Sequence, residues 1–443
     1  MKFVDWLKPG IRVKRWVVLG ILGILMIAFG LVEWIQHRWY SVYYISFYVF
    51  LIGAGSFVLY LAVMQGMRSF IFLINKGYIS VSLDSKKLEN LIYEKRLLVK
   101  GPKIVVIGGG TGLSTMLRGL KHYTTNITAV VTVADDGGGS GDLRQDLGIL
   151  PPGDIRNCIL ALADTEPLME ELLQYRFKNG RLENQSFGNL FLAAMDGISS
   201  NFEEAVQKMS SVLAVTGKVL PVTLENVILK AKLKNGAVVC GESKIPKAVA
   251  DNNSPIDRVF LEPGNARALH EAVEAIKEAD AIILGPGSLY TSVIPNLLLE
   301  DISKAVQRTN AVKMYVSNIM TQPGETDDFG VEDHIKAIFK HGGNDIIDYV
   351  IVNVGRISKE LEEKYMEEHS KLVTIDEAAI EAMNVKIIEG DFIKTRNGLV
   401  RHNSEKLASI LMETIMEKKL LYDKKKIIEY FYLSERLKES RGK

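Results

Sequence analysis

The chain has few cysteines, no excess of one charge sign and no tryptophan beyond its first 39 residues. Two cysteines, Cys158 and Cys240, cannot build a disulfide scaffold or a four-cysteine zinc site. The 54 basic and 53 acidic residues give a net charge of +1, which argues against nucleic acid as a partner. Because all four tryptophans lie near the N-terminus, the average composition combines two different kinds of segment.

Two long runs near the N-terminus contain no charged residue, namely residues 16–32 and 39–67. About 20 apolar residues in a helix cross a hydrocarbon core of about 30 Å. The sequence therefore predicts a transmembrane hairpin over residues 1–76, with helices at about 16–35 and 40–66. A cleaved signal peptide and a buried hairpin of a soluble protein are the alternatives. The second run, and the lack of a small-residue cleavage site, favour the membrane interpretation.

Basic residues on one side of the hairpin predict its orientation. Residues 1–15 carry five basic residues against one acidic residue, and two more basic residues follow the second run by residue 76. The positive-inside rule places such flanks in the cytoplasm. We therefore expect a multi-pass protein of the cell membrane, with both termini and the soluble domain in the cytoplasm.

From residue 101 to about 415, short aliphatic runs alternate with longer amphipathic stretches. This alternation predicts an α/β domain with a parallel sheet and helices on both faces. Residues 77–100 have partly helical spacing and are interpreted as a connecting segment. The candidate strands are residues 104–107, 126–133, 281–284, 312–316 and 349–354.

Two regions depart from this alternation. Residues 219–245 read as consecutive strands around Asn235-Gly236, a strong hairpin signal, and predict a small antiparallel insertion. Residues 416–443 carry nine basic and five acidic residues and predict a basic C-terminal helix. That helix is either a plain surface helix or a weak contact for anionic lipid headgroups.

The first candidate site is the sequence GGGTGLS (108–114), between a short aliphatic strand and a helical stretch. Glycines let the backbone approach an anion, which the N–H groups of the helix start then face. Leu113 occupies the third glycine position of the dinucleotide fingerprint, and no Walker A lysine follows. The sequence therefore predicts an anion-binding loop, but it matches neither the NAD-binding fingerprint nor a Walker A loop. A structural tight turn is the alternative.

Two adjacent aspartates, Asp135 and Asp136, enter a second glycine-rich loop after the next strand. Such carboxylates bind ribose hydroxyls, a base edge or a divalent cation, and they also form turns and caps. Because neighbouring loops of a parallel sheet open on the same edge, we expect at least one of them to bind ligand.

The sequence PPGDIRN (151–157) ends a loop and starts a helix. Asp154 is predicted to be the N-cap of a helix over residues 155–163. Arg156 and Asn157 lie in its first turn, where they could present polar groups to an anion. Cys158 has no base nearby, so we expect a small buried residue rather than a nucleophile.

Three further loops are rich in glycine, hydroxyl and amide groups. Residues 186–190 are expected to cap a helix and pack in the core. Residues 285–292 follow a strand, and their hydroxyls suit phosphate, while Tyr290 could stack on a base or sugar. A polar loop follows at 317–326, and His334 beyond it is expected at the surface or as a cap. Together the loops predict a phosphorylated ligand, a nucleotide or nucleotide-sugar, at the carboxyl ends of a parallel sheet.

Six motifs in one order resemble those of the gluconeogenesis factor family, also called YvcK-like proteins, which are relatives of 2-phospho-L-lactate transferase (CofD-like). The motifs are GGGTGLS (108–114), TVADDGGGSGDLR (132–144), PPGDIRN (151–157), SFGNLFLAA (186–194), GPGSLYTS (285–292) and MTQPGET (320–326). The resemblance covers residue 103 to about 400 and implies a Rossmann-like fold and a homodimer. It also implies binding of UDP-sugars, notably UDP-N-acetylglucosamine, in support of cell shape and cell-wall precursor metabolism. No catalytic activity or required cofactor follows from it, and the metabolic enzyme that would be the regulated partner is unidentified.

By motif match, the resemblance implies a set of ligand contacts. They are Gly109, Gly110, Thr111, Gly112, Asp135, Asp136, Asn157, Asn189, Gly285, Gly287, Ser288, Tyr290, Thr291 and Asn318. The loop after the two aspartates usually reads GGSSG in the family, and here Gly139 replaces the first serine. One hydroxyl is therefore lost. The N-terminal hairpin is an addition relative to the soluble members.

Three functions stay open. The first is a membrane-tethered regulator that binds a nucleotide-sugar. The second is a transferase of the phospholactate type, with a guanine nucleotide-linked donor and magnesium held by Asp135 or Asp136. The third and weakest is a nicotinamide-dependent oxidoreductase, because a fold alone does not imply a function. The motifs contain no activated nucleophile or placed general base, which favours the regulator.

Overall fold

The computed structural model describes residues 14–36, 42–75, 101–396 and 398–420. The chain divides into two compact units, Met1–Val99 and Lys100–Lys443, which are considered separately. The predicted connecting segment at 77–100 lies outside the described residues. So does most of the predicted basic helix at 416–443, of which residues Met416–Leu420 form a π-helical turn.

The first unit contains two long helices, α1 (Lys14–Gln36) and α2 (Val42–Asn75). Their most apolar stretches, Val18–Ile35 and Ser46–Gln65, have mean hydropathies of 2.4 and 2.1, and only 11% of each stretch is buried. A core helix of a soluble protein would bury most of such a stretch. The two helices are therefore candidate membrane spans, at the positions that the sequence predicts.

Glycines bring the two helices close together. A Cβ atom on Gly23 would lie 2.9 Å from the carbonyl oxygen of Gly55, and the reverse distance is also 2.9 Å. Gly30 makes a similar approach to Ile52, with 2.8 Å from its Cβ position to Cγ1. Gly53 takes no part in this close approach, because nothing lies within 4 Å of its Cβ position.

The second unit is built on a parallel sheet that the aliphatic runs form. Strands such as IVVIG and AIIL are buried along their whole length because helices cover both faces of the sheet. The strands of this unit are β1 (Ile104–Gly108), β2 (Ile127–Val131), β3 (Lys218–Pro221), β4 (Ile228–Leu233), β5 (Val238–Cys240), β6 (Ile256–Glu262), β7 (Ala281–Leu284), β8 (Val312–Val316), β9 (Tyr349–Asn353), β10 (Lys386–Gly390), β11 (Ile393–Arg396) and β12 (Leu399–His402).

Helices occupy the segments between the strands. They are α3 (Gly110–Leu120), α4 (Gly138–Leu147), α5 (Gly153–Leu162), α6 (Pro167–Gln174), α7 (Phe187–Gly197), α8 (Phe202–Val212), α9 (Ile245–Asn252), α10 (His270–Lys277), α11 (Ile294–Leu297), α12 (Glu300–Arg308), α13 (Val331–Gly342), α14 (Lys359–Glu367), α15 (Glu377–Ala382) and α16 (Ser404–Ile415). A π-helical turn, Leu289–Val293, precedes α11.

The seven-stranded sheet has the order β10-β9-β8-β7-β1-β2-β3, and every pairing in it is parallel. The chain builds outward from β1 to β3 on one side and from β7 to β10 on the other. The direction therefore reverses between β1 and β7. In open α/β sheets, ligands bind in the crevice outside the carboxyl ends of the strands at such a point. The predicted Rossmann-like fold is confirmed, as are all five predicted strands.

The predicted limits of the antiparallel insertion are wrong. Residues 219–221 belong to β3 of the parallel sheet, and the antiparallel sheet is β5-β4-β6, which ends only at Glu262. An apolar run does not reveal its pairing partner, so β3 and β4 look alike in sequence. The predicted hairpin is confirmed, since β4 and β5 pair around Asn235-Gly236 and Gly236 has a φ of +92°.

Candidate ligand-binding crevice

Two glycine-rich loops face each other at the switch point, one after β1 and one after β7. A Cβ on Gly112 would lie 2.6 Å from the carbonyl oxygen of Pro286, and one on Gly287 would lie 3.1 Å from that of Gly109. Gly110 and Gly285 have φ values of +70° and +71°, which disfavour other residues. The glycines therefore serve backbone-to-backbone packing of the two loops as well as any ligand.

Buried polar groups hold the loops in place. The Thr132 N–H donates to the Gly108 carbonyl at 3.0 Å, and the buried side chain of Asn296 donates to the same carbonyl at 3.3 Å. On the other loop, Asn318 accepts the N–H of Gly287 at 3.3 Å. Asn318, a predicted ligand contact, thus fixes the second loop.

The carboxyl group of Asp154 lies under the first loop. It accepts the N–H of Gly110, and a Cβ on Gly109 would approach its Oδ2 to 2.5 Å. The prediction that Asp154 caps its own helix is wrong, because α5 starts at Gly153, two residues earlier than predicted, with Pro152 as N-cap. Burial and the nearby Asp135 carboxylate raise the pKa of Asp154 to about 6.

The start of α3 keeps two free donors. The first N–H groups of a helix have no partner inside the helix. Those of Thr111 and Gly112 have no acceptor elsewhere in the described part of the chain either. Thr111 is also exposed. These two donors, rather than the N–H of Gly110, are available to an anionic ligand.

The second loop is different, because its helix start is already occupied by a carboxylate. Glu325 accepts the N–H of Tyr290 at 3.3 Å and the hydroxyl of Thr291 at 3.1 Å. The Tyr290 ring is 4% exposed and packs edge-on against Phe329 and His341, at centroid distances of 6.3 and 6.0 Å. In this conformation the ring is not presented for stacking on a base. Of the predicted contacts here, Ser288 is half-buried.

The aspartate loop contributes one carboxylate to the crevice and uses the other for structure. Asp136 accepts the N–H of Ser243 at 2.8 Å and so holds the turn after β5. Asp135 accepts the N–H of Gly137 at 2.9 Å and bonds to Ser140, and burial raises its pKa. Asn189 lies 3.5 Å from the Ser140 hydroxyl, and its buried Oδ1 has no partner among the described residues.

Sequence reasoning missed Glu242, which the turn after β5 brings to this crevice. Burial, followed by the charges of Asp135 and Glu325, raises the pKa of Glu242 to about 8. A neutral carboxyl repels a phosphate less than a carboxylate does, so the raised pKa of Glu242 lessens its conflict with an anionic ligand. Among the described residues, no group of three or more His, Cys, Asp or Glu side chains is arranged to hold a metal ion.

The remaining predicted residues lie around these loops. Asn157 is half-buried on α5, and Cys158 is a buried free thiol whose pKa burial raises, as expected. The predicted cap in residues 186–190 is confirmed, since Ser186 accepts the N–H of Asn189 at 3.1 Å. The prediction that His334 lies at the surface or caps a helix is wrong, because its ring is fully buried against Phe329 and Tyr315.

A cavity of about 890 Å³ lies far from these motifs, between α10 and α12 and beside the amino ends of β7 and β8. Basic side chains such as Arg267 and Arg308 line it. Because none of the glycine-rich loops contributes to it, the candidate site is assigned from the chemistry of the switch point rather than from cavity size.

Comparison with known proteins gives a consistent result. A family model described as 2-phospho-L-lactate transferase CofD matches residues 104–393. A protein of Clostridium acetobutylicum, provisionally named gluconeogenesis factor, is 70% identical over 442 residues, which cover 100% of this chain and 98% of its own. The gluconeogenesis factor of Bacillus subtilis is 48% identical over 317 residues, 71% of this chain and 99% of its own. The relatives thus include proteins that match the whole of this chain and shorter forms that match about 71% of it.

A crystal structure of a UPF0052 family protein from Bacillus halodurans at 2.60 Å resolution has the same fold. It superposes with a TM-score of 0.68 at 46% identity and covers 72% of this chain and 99% of its own. A chain of the shorter form therefore folds without a counterpart to the rest of this sequence.

Proposed function

Because the chain belongs to the gluconeogenesis factor family and carries a CofD-like domain, we propose that it is a membrane-tethered regulator that binds a UDP-sugar. UDP-N-acetylglucosamine is the favoured ligand, and support of cell shape and cell-wall precursor metabolism is the proposed role. The observation that carries this proposal is the crevice at the switch point, where the two glycine-rich loops meet.

The geometry of the crevice suits a diphosphate at its first loop. The unpaired N–H groups of Thr111 and Gly112 and the positive end of the α3 dipole attract an anion. No lysine is needed for this mode of binding. Asp135, Ser140 and Asn189 lie beside the loop and supply the carboxylate, hydroxyl and amide groups that recognise the hydroxyls of a sugar or ribose.

The test is a thermal-shift panel on residues 101–443 and on the full chain in detergent, with UDP-N-acetylglucosamine, other UDP-sugars, GDP with magnesium, GTP and NAD. A ligand that binds only the native state stabilises it, by about 2.7 kcal/mol when the ligand concentration is 100 times its Kd, and therefore raises the melting temperature. Because all four tryptophans lie in residues 1–39, melting of the soluble unit is followed by circular dichroism rather than tryptophan fluorescence.

We expect stabilisation by UDP-sugars and little effect of NAD. Stabilisation by GDP with magnesium alone would replace the regulator by a transferase. A panel without any shift would remove nucleotide-sugar binding from the proposal.

Membrane anchoring by the two apolar helices is supported by their length and by the small buried share of their apolar stretches. We propose that both termini and the soluble unit lie in the cytoplasm, since basic residues flank the hairpin on that side. Labelling of single cysteines in intact cells tests this. A cysteine at residue 100 should be protected from an impermeant reagent, and rapid labelling there would reverse the orientation.

We also propose that the protein is a homodimer. Helix α6 exposes Leu168 and Leu172, one turn apart, with exposures of 77% and 42%, and Ile198 at the end of the neighbouring α7 is 70% exposed. Exposed apolar patches on soluble units commonly mark interaction sites. The unidentified metabolic enzyme that the regulator would control is a further partner.

A further inference from the structure

We propose that Glu325 is a positioning residue of the second glycine-rich loop: its carboxylate caps, from a distant segment, the helical stretch that begins at Leu289 and thereby fixes the loop against the first one. Glu325 lies in the loop after β8. The proposal concerns the loop itself, and only its ligand readout rests on the proposed function.

The contacts of Glu325 are those of a helix cap. It is 4% exposed, and its two oxygens accept the N–H of Tyr290 and the hydroxyl of Thr291, with the Thr291 N–H also directed at it. The side-chain amide of Gln322 donates to Oε1 at 2.8 Å. The first N–H groups of a helix lack internal partners, and a carboxylate satisfies them as a ligand anion would.

The start of this helical stretch has no local residue that could perform the same task. Ser288 occupies the N-cap position, but its side chain makes no capping bond. Asp154 offers a parallel at the first loop, where it accepts the Gly110 N–H from another helix. Both glycine-rich loops are therefore held by carboxylates that lie elsewhere in the sequence.

The number of donors indicates that the ionised form performs this role. Three or more groups donate to the two oxygens, so a proton on the carboxyl would displace a donor or leave one unpaired. Burial nevertheless raises the pKa of Glu325 to about 7. The charged groups that face it are Asp327 on its own segment and Glu242 on the turn after β5.

The first experiment needs no ligand. Hydrogen exchange of the full chain in detergent, resolved to the amides of Tyr290 and Thr291, is compared for the wild type, Glu325→Gln and Glu325→Ala. Glutamine keeps one acceptor oxygen, so we expect protection to fall in the order wild type, Gln, Ala, with a loss of tenfold or more for Ala. Asp328→Asn is the matched control, because Asp328 is exposed, lies in the same segment and pairs with Lys371. Unchanged protection in the Ala variant would overturn the proposal.

The second experiment measures the Kd for UDP-N-acetylglucosamine of the wild type and of Glu325→Gln, each at pH 6 and at pH 8. The result is expressed as the Kd of the variant divided by that of the wild type. Glutamine resembles the protonated acid, so we expect a ratio near one at pH 6 and about tenfold at pH 8. The ratio cancels the titration of Asp135, which both proteins share. Because the charge of Glu325 also raises the pKa of Glu242, the ratio is measured again in a Glu242→Gln background, where Glu242 cannot titrate. A ratio independent of pH would overturn the role of the charge. If the wild type binds no UDP-sugar, the proposed function fails, and the exchange experiment alone still decides the role of Glu325.

Discussion

At the scale of single residues, Gly112 couples the two loops most directly. A methyl group on it would strike the backbone of Pro286 at 2.6 Å, and backbone cannot move as a flexible side chain does. We expect Gly112→Ala to cost about 1–3 kcal/mol of unfolding free energy and to abolish the UDP-sugar shift. Urea denaturation and the thermal-shift panel measure both effects.

Gly197 provides the control for that substitution. It ends α7 with nothing within 4 Å of its Cβ position, so Gly197→Ala should leave both stability and ligand binding near the wild-type values. Wild-type binding by Gly112→Ala would show that the contact between the loops is not needed for the site.

Asp154 gives a prediction on pH. Its folded-state pKa is raised to about 6, so its contribution to stability is fully present below its unfolded pKa and is lost as pH rises through 6. Between pH 4 and pH 7, the free energy of unfolding of the wild type should fall by about 2 kcal/mol relative to that of Asp154→Asn, since one pKa unit corresponds to about 1.4 kcal/mol. Urea unfolding of residues 101–443 across this range measures the difference.

Asp146→Asn is the control for that series, because Asp146 is an exposed aspartate on α4. It should follow the wild type at every pH. A constant difference between wild type and Asp154→Asn would contradict the effect of burial on Asp154.

At the scale of elements, the apolar hairpin depends on glycines that let two helices meet. Gly23→Leu places a side chain where the Gly55 backbone lies, whereas Gly53→Leu points into open space. We expect Gly23→Leu to lower the melting temperature of the hairpin in detergent and Gly53→Leu to leave it unchanged. Tryptophan fluorescence reports this unit selectively, since every tryptophan lies in residues 1–39. Equal effects of the two substitutions would contradict the observed packing.

Strands that are buried on both faces of the sheet could be predicted from the sequence, whereas an edge strand and the limits of the antiparallel sheet could not. The strands β1, β2, β7, β8 and β9 are aliphatic runs bounded by glycine or polar residues, and burial on both faces dictates that composition. The edge strand β10 has the sequence KIIEG and is only partly buried. Because it contains charged residues and no long aliphatic run, the sequence did not predict it as a strand. The limits of the antiparallel sheet were wrong because strand pairing depends on residues far apart in the chain.

At the scale of the whole molecule, the homodimer makes a specific prediction. Replacing both Leu168 and Leu172 by glutamate places two charges in the exposed apolar surface of α6, which a dimer interface would have to desolvate. We expect the wild-type chain to have the mass of a dimer in light scattering and the double variant that of a monomer. Val354→Glu, at a half-exposed position beyond β9, should remain dimeric. A monomeric wild type would remove the homodimer from the proposal.

The apolar hairpin, the parallel α/β class and the family could be predicted from the amino-acid sequence, because each depends on local patterns such as uncharged runs, strand–glycine–helix junctions and the order of motifs. The tertiary structure, in contrast, shows which polar groups around the crevice are already engaged by other parts of the protein. Tyr290 turned out to be buried, Asp136 to hold the neighbouring turn, and Asp154 and Glu325 to cap helices of other segments. A donor at a helix start accepts whichever anion the fold brings to it, and the residue that does so can lie anywhere in the chain.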